Sequence, residues 1–295
     1  MIRALLLSSR PLSWVNTAFP FAAAFLLAVP DPGDGRSIAR VALGILFFLV
    51  PYNLAMYGIN DVFDYESDLR NPRKGGVEGA LLDRRLHRAT LTAAAVGCVP
   101  FVVALVLLGT WPSWIVLAVS MFAVVAYSAP GLRFKERPFL DSLTSSTHFV
   151  SPAVYGLALA GATVTPGLVL VLAAFFLWGV ASHAFGAVQD VIPDREGGLA
   201  SVATVIGARS TVRVAFGCYL AAAALLLATG PLGGGWPGAL AAVLPLPYAL
   251  NVAPWLRTTD AASASANRGW RRFLWLNFAV GFLATMLLIA YAVTR

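Results

Sequence analysis

Residues 41–68 read VALGILFFLVPYNLAMYGINDVFDYESD. The stretch 41–60 carries no charge and is long enough to cross a bilayer as a helix, which takes roughly 20 apolar residues. Asp61, Asp64, Glu66 and Asp68 then follow in quick succession. Hydrocarbon excludes charge, so these acids belong at the end of the span, in the headgroup layer or in water. On a helix Asn60, Asp61, Asp64 and Asp68 fall largely on one face and Glu66 points elsewhere. Asn53 lies seven residues before Asn60, on the same face. Like charges at this spacing repel, so something cationic must compensate them.

The rest of the chain repeats the first part of that pattern. Of 295 residues, 59% are hydrophobic and 12% charged, about half the charged fraction of a soluble domain. Apolar runs recur at 12–30, 39–60, 90–109, 112–129, 139–161, 166–188, 211–229, 237–256 and 273–293, which predicts an all-α polytopic membrane protein with nine transmembrane helices. The runs do not alternate as the strands of a membrane barrel would. Arg3 and Arg10 precede the first run, PLSWVNTAFPFAAAFLLAV, whose spanning length marks it as a helix and not a leader. The connections after the second, fourth, sixth and eighth runs are long or charged. With the N-terminus they hold every one of the 21 lysines and arginines except Arg36, Arg40 and Arg295. Basic residues favour the cytoplasmic face, so the N-terminus and the acidic cluster are expected inside, in the cell membrane. Net charge +7 follows from this rule and from anionic lipid, with no need of nucleic acid. Cys98 and Cys218 both lie in apolar runs and read as small core residues. No soluble domain fits in what remains, so 1–295 is expected to be a single membrane domain.

A second acidic segment, QDVIPDREGG at 189–198, follows the sixth run. It lies four spans after NDVFDYESD and on the same side, an echo that suggests two pseudo-repeated four-helix halves plus a ninth helix. His183, Asp190 and Asp194 are spaced by seven and four, again one face; Pro193 is expected to unwind the helix near Asp194. Carboxylate and amide oxygens from two such helices suit Mg²⁺, a hard cation that keeps waters and binds substrate phosphates. DLRNPRKGG offers Arg70, Arg73 and Lys74, and YSAPGLRFKERP offers Arg133, Lys135 and Arg137, as cations for a diphosphate. Arg84, Arg85 and Arg88 read as facing headgroups or solvent. Tyr57 stands one turn before Asn60 and Asp61, and Tyr127 ends the fourth run; membrane aromatics mostly pack or anchor at the interface. Trp14, Trp111, Trp114 and Trp236 read as interface anchors. His148 and His183 are polar groups inside apolar runs, costly and therefore functional candidates; His148 reads as a packing histidine, and His183 shares the acidic face. Asn16 and Asn53 either line a pocket or bond helix to helix.

Three of these segments together carry a resemblance. NDVFDYESD matches the NDxxDxxxD pattern of the UbiA superfamily of membrane prenyltransferases. DVIPDREGG resembles that family's second aspartate motif, and YSAPGLRFK its YSxPxxxxK segment. Within the family, YGINDVFDYESDLRNPRKGGVEGALL is similar to the lycopene elongases of C50 carotenoid synthesis. The resemblance implies one domain over 1–295, with Asn60, Asp61, Asp64 and Asp68 serving Mg²⁺-diphosphate and Asp190 and Asp194 forming the second metal-binding motif. It makes Tyr127 and Lys135 the third motif, with Lys135 on the diphosphate. Many members carry a third acid where this chain has Gly198; Glu196 is the nearest substitute.

The implied reaction transfers an isoprenyl group, dimethylallyl for an elongase, from an allylic diphosphate to an apolar acceptor such as lycopene, which enters from the membrane lipid. Departure of diphosphate leaves a carbocation that the acceptor attacks; the reaction gives Tyr57 and Tyr127 a cation to face, unless they simply pack, and makes His183 a residue that orients the acceptor or accepts a proton. The new tertiary cation then loses a proton or captures water. An aromatic quinone precursor or another lipid is the alternative acceptor. A transporter would instead place its charges near the bilayer midplane, whereas here the acids sit at span ends.

Overall fold

The structure, a computed structural model, describes residues 1–69 and 82–294. Among the described residues every regular element is helical. The helices are α1 Ile2–Ser8, α2 Val15–Ala28, α3 Gly35–Leu49, α4 Pro51–Phe63, α5 Tyr65–Asp68, α6 His87–Leu108, α7 Trp111–Ser128, α8 Leu140–Ala160, α9 Pro166–Val188, α10 Val191–Glu196, α11 Val202–Thr229, α12 Gly235–Leu240, α13 Leu246–Val252 and α14 Asn267–Thr294. Eight stretches among the described residues are long and apolar enough to cross a membrane. The run expected at 139–161 is present as α8, 21 residues long. Its first half carries Asp141, Ser142, Thr144, Ser145, Ser146, Thr147 and His148, which keeps it out of that set.

The chain forms two compact units, Met1–Phe134 with Thr147–Ala162, and Lys135–Ser146 with Thr163–Arg295. In the first, Phe21, Phe25, Phe47, Phe48, Tyr52 and Tyr155 are fully buried. Phe47 and Phe48 meet edge-on, centroids 4.9 Å apart, while Phe21 stacks on Phe25 and Tyr155 at about 6 Å between centroids, spacings at which aromatic pairs attract. In the second, Phe185, Tyr219, Tyr248, Trp255 and Phe273 form the core. Ala181, Ala184, Ala208, Ala215 and Ala222 are buried there, and such small residues let α9 and α11 approach closely, as helices in lipid do. Outward, Leu107, Leu250, Trp275 and Val293 are almost wholly uncovered, as lipid-facing side chains would be.

The run expected at 39–60 as one helix is broken. Pro51 begins α4 and Val50 leaves helical geometry, with φ −118° and ψ −60°. Proline lacks the N–H that would continue the ladder. Side chains tie down the freed carbonyls: Asn53 Nδ2 donates to the Phe48 and Leu49 oxygens, at 2.7 and 3.1 Å, and to Thr17 Oγ1 at 2.8 Å. Asn53 therefore bonds helix to helix. Together α3 and α4 run 29 residues, a rise of about 43 Å against a hydrocarbon core of about 30 Å. The last turn of α4, with Asn60 and Asp61, can therefore clear the hydrocarbon.

Candidate functional site

The helix expected to continue through 68 ends at Phe63. Asp64 takes φ −99° and ψ 0°, a bridge-region bend common at functional residues, before α5 resumes. Asn60 is half-buried, while Asp61 and Asp64 are 1% and 4% exposed. A buried carboxylate needs donors, and Asp61 has them. Ser8 Oγ donates to its Oδ2 at 2.7 Å, and Arg10 Nη2 to its Oδ1 at 3.0 Å. The Arg10 guanidinium also lies 4.4 Å from the centroid of the Tyr57 ring, so a cation already occupies one face of Tyr57. Arg10 adopts the left-handed region, φ 50° and ψ 76°, a conformation that costs a non-glycine residue about 1 kcal/mol and turns the chain from α1 toward α2. Trp14, expected as an interface anchor, instead bonds this turn through Nε1 to the Ser9 oxygen at 3.0 Å.

From the segment after α7, Arg133 reaches the same bend. Its Nη2 lies 3.7 Å from Asp64 Oδ1, and its Nη1 donates to the Phe63 oxygen at 3.5 Å. Tyr127 stands edge-on to His148, centroids 5.2 Å apart. Glu66 pairs with Arg84, which also covers the Tyr65 ring; both charged side chains stay mostly exposed, as expected of Arg84. Arg70, Arg73 and Lys74, and the side chain of Asp68, lie outside the described residues.

In the second unit the helix breaks earlier than Asp194. α9 ends at Val188, and Asp190 takes φ −99° and ψ 0°. The reason is Pro193, whose ring obstructs the carbonyl four residues back, that of Gln189. Asp190 and Asp194 are half-buried and stand one turn apart. α10 closes at Gly198, φ 70°, where the Gly198 and Leu199 amides return to the Arg195 and Asp194 carbonyls. This left-handed cap favours glycine, which accounts for Gly198; Glu196 is exposed. Arg195 is committed to scaffolding: it donates to the Thr204 oxygen and pairs with Asp260 at 2.6 Å. Lys135 is largely covered and lies 3.9 Å from Glu136.

His183 lies 3.7 Å from Asp141. Asp141 is fully buried, in the first turn of α8, and accepts the Val202 amide at 2.8 Å.

Among the described residues no three metal-capable side chains converge. Mg²⁺ needs no such cage, since it takes one or two carboxylates with waters and phosphates. Asn60 and Asp64, and likewise Asp190 and Asp194, supply hard oxygens of the right kind. Asp61 fits less well than these, because Ser8 and Arg10 already hydrogen-bond its two oxygens at 2.7 and 3.0 Å.

Residues 17–278 match the UbiA prenyltransferase family. The chain belongs to it. As a UbiA-family chain with eight membrane-length stretches among its described residues, it is a multi-pass membrane prenyltransferase. A lycopene elongase/hydratase of Corynebacterium glutamicum is 53% identical over 289 residues, 98% of this chain and 97% of the relative. A C(50) beta-cyclic carotenoids biosynthesis protein of Dietzia sp. is 58% identical over 98% of this chain, which spans 65% of that longer protein. A UbiA homolog from Archaeoglobus fulgidus, solved bound to DMAPP and Mg²⁺, shares the fold with a TM-score of 0.67 at 19% identity, covering 94% of this chain and 98% of that one.

Ser8, Arg10 and Asp141 were not singled out by sequence motif within this UbiA chain. Arg10 lies 51 positions from its partner and is explained equally well by the positive-inside rule. Asp141 did leave a signal: an acid inside a spanning run is costly and therefore a functional candidate.

Proposed function

We propose that this chain is an Mg²⁺-dependent lycopene elongase, transferring a dimethylallyl group from dimethylallyl diphosphate to lycopene and releasing diphosphate. The observation that carries the reading is the end-to-end likeness to the Corynebacterium lycopene elongase/hydratase. We assign nine spans to one domain, 1–295, with two pseudo-repeated halves. The N-terminus is cytoplasmic in the cell membrane, and the site opens to that side, as the distribution of basic residues argues.

Asn60, Asp64 and Asp68 on one segment, and Asp190 and Asp194 on the other, would hold Mg²⁺-diphosphate. The bound metal would supply charge neutralisation as the allylic C–O bond breaks. Arg133, Lys135, Arg70 and Lys74 contact the diphosphate oxygens and favour its departure with the bonding pair. Asp61 keeps Arg10 in place. Tyr127, and the Tyr57 face not covered by Arg10, border the allyl group, where aromatic faces favour positive charge. Surrounding lipid delivers the acceptor and excludes bulk water from the cation.

The test is the mass spectrum of carotenoids from a lycopene-producing bacterial host expressing the chain. One or two added C5 units, with or without water, establish donor and acceptor together. Unchanged lycopene with folded protein in the membrane sinks the lycopene acceptor and turns attention to an aromatic quinone precursor or another lipid. A more local expectation concerns Lys135→Ala: the donor KM rises about tenfold, one charge-assisted contact's worth, while the acceptor KM stays put. Steady-state kinetics with each substrate varied decide it, and an unmoved donor KM removes Lys135 from the site.

A further inference from the structure

We propose that His183, held by Asp141, takes the proton from the water that ends the reaction, so that this pair decides whether the product carries a hydroxyl group. The inference rests on the elongase reading above.

Three observations support it. First, the partners of Asp141 among the described residues are the Ser142 amide at 2.7 Å, the Ser142 hydroxyl at 3.3 Å, the Val202 amide at 2.8 Å and His183 Nε2 at 3.7 Å. None carries a fixed positive charge. Capping α11 through Val202 needs only a neutral oxygen. A buried carboxylate beside an imidazole does more: it holds the ring's orientation and stabilises the imidazolium that forms when a proton arrives. Second, the pair is built in. A Cβ at Gly179, one turn before His183, would collide with Ser146 of α8, so glycine there lets that part of α8 lie against α9. One-fifth of the His183 side-chain surface stays open, so the ring can be reached. Third, the depth is right. His183 stands five residues, about 8 Å, before the end of α9 at Val188, and Asp190 follows that end. A diphosphate held at Asp190 would keep to that end, and the allylic carbon and the acceptor's alkene would reach back along α9 from it. That level is where the product cation forms, away from the leaving group.

With Nε2–H toward Asp141, Nδ1 is the basic nitrogen. A water oxygen gives a lone pair to the tertiary carbon, forming the C–O bond, and its proton passes to Nδ1. Without the imidazole, the cation instead loses a neighbouring C–H proton to the released diphosphate, and that C–H pair becomes an alkene.

Wild type, His183→Leu and Asp141→Asn are expressed in the lycopene-producing host, with each protein's folding checked by gel filtration in detergent. Wild type is expected to give prenylated carotenoid carrying added water. In both variants the total prenylated carotenoid stays within about threefold, while the hydroxylated fraction falls about tenfold or more. Asp141→Asn keeps an oxygen for the Val202 amide, so it carries the test if His183→Leu fails to fold. An unchanged hydroxylated fraction, a parallel fall in total and hydroxylated product, or a wild type making only the alkene each overturns the proposal. A wild type that leaves lycopene untouched overturns the elongase reading beneath it, an outcome recognisably different from the other three.

Discussion

Asp64→Asn and Asp190→Asn each lower prenyl transfer at least about a thousandfold and leave the protein folded. Asparagine keeps the shape and one acceptor oxygen but removes the charge that draws Mg²⁺ to the diphosphate. Charge stabilisation at a departing group is worth about 4 kcal/mol, hence about three powers of ten in rate. The fold has less at stake. Asp64 lies 3.7 Å from Arg133 Nη2, beyond hydrogen-bond range, and Asp190 is half-buried just past the end of α9. The comparison that gives the result meaning is Asp61→Asn. Asp61 is the most buried of the three, so an importance ranking by burial would put it first. Its oxygens face Ser8 and Arg10, however, and its loss is expected to act on donor binding and stability more than on turnover. Rates measured at saturating donor separate the cases. Full activity in Asp64→Asn or Asp190→Asn would end the two-motif metal assignment.

Much of this was legible because membrane sequences are constrained twice, by length and by charge. Apolar runs place the spans to within a few residues, and acids at their ends stand out against a background that excludes them. What the pattern could not carry was the local breaking of helices. NDVFDYESD has helical spacing throughout, yet the chain bends at Asp64. The bend expected from Pro193 comes at Asp190, because a proline disturbs the turn before it. Nor could it carry partners distant in sequence. Nothing in the neighbourhood of Asp61 names Ser8 and Arg10, and nothing near His183 names Asp141, since each pairing is made by helix packing. Asn53 shows the opposite case: its spacing suits the acidic face, but Pro51 two residues earlier already supplied the reason for a backbone-bonding amide at that point.

Arg10→Ala is expected to be among the most destabilising single changes in the N-terminal region, and more damaging than Asp61→Asn. The asymmetry follows from what each change leaves behind. With Arg10 gone, Asp61 keeps its charge at 1% exposure with the Ser8 hydroxyl still donating to it at 2.7 Å; stranding a buried carboxylate in this way costs about 3–5 kcal/mol. With Asp61 neutralised to Asn, the amide oxygen still accepts from Ser8, and Arg10, 22% exposed along its side chain, can turn toward water while staying near the Tyr57 face. The double variant Arg10→Ala with Asp61→Asn should therefore recover much of what Arg10→Ala loses, the signature of direct coupling. Thermal unfolding in detergent orders the three proteins, and limited proteolysis at Ile2–Arg10 reports whether α1 has come away from α4. If Arg10→Ala melts with wild type and its N-terminus stays protected, the pair is a surface accident and Asp61 returns to the list of candidate metal ligands.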